Sequence, residues 1–235
     1  MKAERWFGPD LGLPFDPPNP TQTGLPRTAL PVHRGVPRHL EAHLLRLQAG
    51  AAALGAEVPW LSVLQTELEA WLREETAHTD AALRLVLHPE AARLSARLEP
   101  LPAVAQPYRL MVLPHPLQAR RQEAAIVHKG LAGPWSQTVL SAIREAGAED
   151  ALLLWSDGTL AETAIASVAL ERGDLLTVPP PQGRVASLAE RLDLPAWARS
   201  RGLHLEVGGL SLAAVREGRL WCLNALRGIW PAVLP

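Results

Sequence analysis

Cysteine is nearly absent. Cys222 stands alone in 235 residues, so no internal disulfide can form, and a reducing compartment is expected. No apolar run approaches the ~20 residues that a membrane-spanning helix needs. An excess of charge of either sign is lacking too. Lysine and arginine number 23 against 24 aspartates and glutamates, a formal net charge of −1. That leaves neither a basic stripe for nucleic acid nor a polybasic patch for a lipid surface. The first six residues carry an acid and lead into prolines, unlike a secretory signal. The cytoplasm is therefore the expected location, with no nucleic acid or membrane as partner. Tyrosine occurs once and phenylalanine twice, and there are no internal repeats or heptads.

What is present is an ordinary globular balance, 48% hydrophobic over a length that suits one substantial core or two small domains. Eight tryptophans are expected as core or interface anchors. Residues 7–26 are dense in proline and glycine and read as an irregular arm. Residues 28–32 suggest a short strand turned at Arg34-Gly35. From His39 a helix is expected, with Leu40, Leu44, Leu47, Ala51 and Leu54 at three- and four-residue steps and Gly55 as its stop. A second helix is expected over 61–75. The period then changes: Leu83, Leu85 and Leu87 alternate with Arg84 and Val86, the pattern of a strand. Further strands are expected over 93–98 and 108–113.

Prolines and a charged run over 114–121 predict a domain linker, dividing the chain into a domain over 1–115 and another over 121–235. Beyond it the pattern predicts a helix over 136–146 and a strand over 151–155 running into the Asp157-Gly158 turn. A hairpin about Arg172-Gly173, helices over 187–192 and 195–201, and a last strand over 220–223 complete the expectation.

The segment Ile126-Val127-His128-Lys129-Gly130-Leu131-Ala132-Gly133 sets one lysine among apolar and small residues. Desolvation there would disfavour the ammonium, lower its pKa and free a nucleophilic amine, the preparation an amine needs to form a Schiff base with a carbonyl or with pyridoxal phosphate.

Three further segments accompany it: Ala42-His43-Leu44-Leu45-Arg46-Leu47, Leu160-Ala161-Glu162-Thr163-Ala164-Ile165-Ala166-Ser167, and Cys222-Leu223-Asn224-Ala225-Leu226-Arg227-Gly228. In order and spacing, the set resembles the class IV aminotransferases, the pyridoxal phosphate enzymes of fold type IV. The resemblance implies a mixed α/β, two-domain fold: a small N-terminal α/β domain and a larger, barrel-like C-terminal domain that carries the lysine. It also implies pyridoxal 5′-phosphate as cofactor, an amino-acid-type substrate, and a homodimer. By the same resemblance Lys129 is the catalytic lysine, Glu162 faces the pyridine nitrogen, and Arg46 contacts the phosphate, with His43 bracing Arg46 or simply packing. Amides of Leu188, Ala189 and Ala225 are expected near the cofactor. Leu226, Arg84, Arg93 and Arg227 are expected near the substrate.

The sequence departs from the family pattern in several places. The acidic Asp-Gly loop near the start is missing, Ser167 stands where asparagine is frequent, and Trp135 falls closest to the usual tyrosine or asparagine after the lysine. The short C-terminus and the Asn224-Ala225-Leu226 turn look most like 4-amino-4-deoxychorismate lyase. A D-amino-acid or branched-chain aminotransferase is the alternative, and a non-catalytic degenerate member is the third reading.

Overall fold

The computed structural model describes residues 3–9, 24–133 and 135–234. The greater part of the proline-rich arm expected over 7–26 lies outside the described residues. The chain forms two compact units: Met1–Pro102 with His128–Gly133, and Ala103–Val127 with Pro134–Pro235.

The first unit is a five-stranded sheet of β1 (Ala3–Phe7), β2 (Arg27–His33), β3 (Val36–Pro37), β4 (Asp80–His88) and β5 (Arg93–Glu99) in the order β1-β5-β4-β2-β3, antiparallel throughout. Strand alternation sends Leu30, Val32, Leu83, Leu85, Leu87, Leu94, Ala96 and Leu98 to one face. There they pack with leucines of α1 (Leu40–Ala52) and α2 (Gln65–Thr76) in a single core. Each fully buried leucine contributes about 2 kcal/mol by removing apolar surface from water.

The helix α1 follows the expected stripe as far as Ala51. Leu54 lies beyond the helix end and is 50% exposed, because the chain turns there, Leu54 and Ala56 both donating to Ala51 O. The second expected helix begins as a 3₁₀ turn, Pro59–Leu64, which continues into α2.

The second unit contains β6 (Leu110–Pro114), α3 (Trp135–Glu145), β7 (Asp150–Leu154), β8 (Leu160–Thr163), β9 (Ser167–Arg172), β10 (Leu175–Val178), α4 (Leu194–Ser200), β11 (His204–Val207), α5 (Leu212–Glu217), β12 (Arg219–Asn224) and β13 (Gly228–Ala232). Two sheets, β6-β7-β8 and β11-β10-β9-β12-β13, make up its framework. Leu110 N–H donates to Val233 O beside β6, and Leu160 N–H donates to Leu210 O beside β8. These bonds join the two sheets at both ends in a barrel-like ring, with Tyr108, Leu152, Leu160, Val168, Cys222 and Trp230 in the core.

The linker expected over 114–121 lies inside this unit instead. β6 runs parallel to β7, His115 N–H donates to Leu154 O at 2.7 Å, and the Gln118 amide reaches the same oxygen at 2.8 Å. Prolines and charges mark irregular backbone there, but that backbone is tied to β7. The lysine segment was expected with the C-terminal domain and packs within the first unit.

Candidate active site

Main-chain bonds fix the lysine segment: Gly24 N–H donates to Gly130 O at 3.2 Å, and Arg27 N–H to Lys129 O at 3.1 Å. Gly130 adopts φ +103°, and a Cβ there would stand 2.1 Å from Leu25 O, so only glycine fits. The Lys129 side chain is exposed. Its apolar neighbours were expected to strip its water, and they do not. The short 3₁₀ turn Ala124–Val127 points Ile126 inward while Val127 is 41% exposed, and Leu131 is buried in the following turn.

Beside the lysine, the imidazole of His43 is buried on α1 with Nδ1 2.6 Å from Thr28 Oγ1. Its pKa is pushed down to about 3, first by burial and then by the charges of Arg46, Lys129 and His39. The ring is therefore neutral at physiological pH, and both Arg46 and Lys129 bear on it. Two cations beside a neutral ring suit a phosphate.

In the second unit Glu162 is the third residue of the buried strand β8. Its Oε1 accepts Val185 N–H at 3.3 Å and lies 3.9 Å from His115 Nε2. His115 is 1% exposed and stacks on Trp155 with 3.9 Å between ring centroids. Its Nδ1 accepts Leu117 N–H at 3.1 Å. This assigns the proton to Nε2, the atom nearer Glu162, which has no hydrogen-bond partner. No lysine or arginine among the described residues pairs with Glu162. A buried carboxylate with one weak donor is a ready acceptor for the protonated nitrogen of a pyridine ring.

Downstream, Ser187 N–H donates to Ser167 Oγ at 2.8 Å, and Ser187 Oγ accepts Glu190 N–H at 3.0 Å. A π-helical turn, Ala189–Asp193, starts here and runs into α4. The Leu188 and Ala189 amides open this helix, so no preceding turn supplies their acceptors, and the positive end of its dipole favours an anion. Arg184 holds the approach. It is 1% exposed, forks onto Glu190 through Nη1 and Nη2 at 2.7 Å each, and donates through Nε to Pro180 O at 3.0 Å and through Nη2 to Pro179 O.

Ala225 and Leu226 form the turn between β12 and β13, closed by Arg227 N–H donating to Asn224 Oδ1 at 2.9 Å. The Asn224 side-chain amide donates to Ile165 O at 3.3 Å. Arg227 donates to Tyr108 OH at 3.3 Å, its guanidinium carbon lies 5.8 Å from the Trp230 ring centroid, and its buried Nε has no partner. Among the described residues no carboxylate pairs with it. Arg84 shares Glu99 with Arg97, and Arg93 is buried beside Gly8.

Asp150 braces the turn after Glu162. It is fully buried, its Oδ1 accepts the Ala151 and Ala164 amides, and its Oδ2 accepts the hydroxyls of Thr163 at 2.5 Å and Tyr108 at 3.4 Å. Burial pushes its pKa up to about 6 from 3.8, against the pull of these donors. Below 3.8 both folded and unfolded chains hold the proton. Between 3.8 and 6 only the folded chain does, so this group's contribution to stability falls as pH rises and is lost above 6. In Asp150→Asn the amide oxygen keeps both N–H donors, and both hydroxyls can turn to accept. The difference in unfolding free energy between variant and wild type should therefore move by ~3 kcal/mol in the variant's favour from pH 4 to pH 7. Urea unfolding of both proteins across that range measures it. A flat difference would contradict the assignment.

The model of the class IV amino-transferases matches residues 28–234. The chain belongs to this family, and its cofactor is accordingly pyridoxal phosphate. No curated protein sequence matches it. Among solved structures, a hypothetical aminotransferase from Mycobacterium tuberculosis in its PLP-bound form is similar at 21% identity and TM-score 0.81, over 95% of this chain and 87% of that one. A fold IV transaminase from Curtobacterium pusillum is similar at 19% identity and TM-score 0.77, over 96% and 85%. The 4-amino-4-deoxychorismate lyase of Pseudomonas aeruginosa is similar at 22% identity and TM-score 0.71, over 100% and 91%. Fold type IV is thus the architecture of the chain, which is an enzyme of the pyridoxal phosphate-dependent class IV family. No helix among the described residues is long and apolar enough to cross a membrane.

Reading the sequence missed His115 and Arg184. His115 sits in the stretch taken for a linker, and nothing in the apolar pattern marks Arg184 for burial.

Proposed function

We propose that the chain is a lyase of the 4-amino-4-deoxychorismate type, releasing pyruvate and leaving 4-aminobenzoate, and that it acts as a cytoplasmic homodimer. The observation that carries this reading is Arg227. It is a half-buried guanidinium with an unpartnered Nε and no carboxylate, set directly after the short Asn224-Ala225-Leu226 turn. A dicarboxylate substrate needs a cation beyond the one that holds the cofactor phosphate, and Arg227 supplies it. Leu226 borders the same turn. Arg93 and Arg84 are the further candidates, although Arg84 already engages Glu99.

In this reading Arg46 and the amides of Leu188, Ala189 and Ala225 bind phosphate, and Glu162 accepts the proton of the pyridine nitrogen. When bound, pyridoxal phosphate supplies an electron sink for a carbanion beside the substrate amine. Lys129 Nζ takes the proton from the amine-bearing ring carbon, and the ether bond on the neighbouring carbon breaks. The departing enolpyruvate gains a proton and becomes pyruvate, while the ring becomes aromatic. The decisive experiment incubates the loaded protein with aminodeoxychorismate and measures pyruvate and 4-aminobenzoate in equal amounts. Transfer of an amino group to a keto acid, without either product, would instead establish a D-amino-acid or branched-chain aminotransferase. A protein that stays colourless with the cofactor would establish a non-catalytic member.

Arg46→Gln removes one charge-assisted contact to the phosphate. It should weaken cofactor affinity about tenfold to a hundredfold, as measured by titrating the apoprotein with pyridoxal phosphate and following tryptophan fluorescence. Unchanged affinity would remove Arg46 from the phosphate site.

A further inference from the structure

Arg27 opens β2, and its amide donates to Lys129 O. Its side chain lies against the next residue: a Cβ on Gly130 would stand 2.9 Å from both Cγ and Nε of Arg27. The guanidinium is thus anchored beside the lysine by its own backbone and stem. Strand alternation puts Arg27 on the sheet face opposite the core, the face that also carries Arg84 and Arg97. Those two share Glu99. Arg27 does not: across the sheet it meets Val86 and then Ser95, both uncharged. No hydrogen bond or ion pair engages its side chain among the described residues, and burial alone acts on its charge, favouring its loss. A half-desolvated guanidinium with no counter-charge is unfavourable until an anion arrives to offset it.

We propose that Arg27 binds a carboxylate of the substrate beside Lys129, and so selects amino compounds that carry an acid group. A guanidinium takes a carboxylate through two parallel N–H donors, which fixes orientation as well as position. The acid would then be held next to the residue whose amine moves the substrate proton. This rests on the reading of Lys129 as the cofactor lysine.

The test uses maleate, an unreactive dicarboxylate, as the probe. Its dissociation constant is measured by calorimetry on cofactor-loaded wild type, Arg27→Gln and Arg27→Lys, and again on the same proteins without cofactor. Pyridoxal phosphate affinity is measured separately, with Arg46→Gln as the comparison. Arg27→Gln should weaken maleate about tenfold or more, leave cofactor affinity within about threefold, and be partly restored by Arg27→Lys. Maleate binding that ignores the glutamine, or wild type that binds none, would overturn the proposal. So would a loss of cofactor affinity as large as that of Arg46→Gln, which would make Arg27 a phosphate contact. A wild-type chain that takes up no cofactor would defeat the functional reading instead, and the titrations without cofactor would still report on Arg27.

Discussion

Lys129→Ala is expected to abolish the visible absorbance of the cofactor-loaded protein and to lower turnover roughly a thousandfold or more. Both effects have one cause in the proposed mechanism, in which the same amine holds the cofactor and carries the substrate proton. Scarcity makes the result clean: the whole chain has two lysines, Lys2 and Lys129. No neighbouring amine on the segment can substitute for the missing one. The exposure of Lys129 means that the substitution disturbs little packing, so the variant should unfold within about 0.5 kcal/mol of wild type. Absorbance, turnover and urea unfolding on one preparation check all three statements. A variant that kept its colour would show that another residue holds the cofactor.

Arg184→Ala should produce the largest loss of stability, about 3–5 kcal/mol. The substitution leaves the Glu190 carboxylate, only 10% exposed, without its forked partner, and leaves the carbonyls of Pro179 and Pro180 without theirs. Each deserted group keeps its desolvation penalty. Local consequences follow, because Glu190 N–H also closes the turn on Ser187 Oγ, and that turn presents the Leu188 and Ala189 amides. Cofactor affinity should therefore fall together with stability. A double-mutant cycle of Arg184→Ala with Glu190→Ala separates the pair from its surroundings: the double variant should cost clearly less than the two single variants added together. Urea midpoints for the four proteins measure this, and additive losses would contradict a coupled pair.

The elements legible in the sequence are those whose burial pattern is regular. The stripe from Leu40 to Ala51 gives α1, the alternation of Leu83, Leu85 and Leu87 gives β4, and Arg172-Gly173 gives the hairpin of β9 and β10. Three strands at sheet edges, β1, β11 and β13, were not legible, whereas the strand expected over 108–113 is the edge strand β6. All four residues of β11 are exposed, so no alternation appears. β13 contains Pro231, which argues against a strand but is tolerated at an edge. β1 buries only Phe7 fully.

The same limit applies to the site. The ordered segments around Arg46, Lys129, Glu162 and Asn224 identify the family and hence the cofactor, because they are local in sequence. The environment of each side chain is not local. Apolar neighbours suggested a desolvated lysine, yet of these residues Ile126 is buried while Val127 and Lys129 are exposed. His115 is buried by partners distant in sequence, Trp155 and Glu162, whereas Arg184 is enclosed by its own loop, on Pro179, Pro180 and Glu190, in a conformation that no apolar periodicity marks.

Reduction of the cofactor-loaded protein with borohydride, followed by digestion and mass spectrometry, tests the central assignment most directly. Reduction makes the lysine–cofactor bond permanent, and with two lysines in the chain the outcome is unambiguous. The expected result is a single pyridoxyl group on the peptide that carries Lys129; a label on Lys2, or on neither lysine, would contradict it.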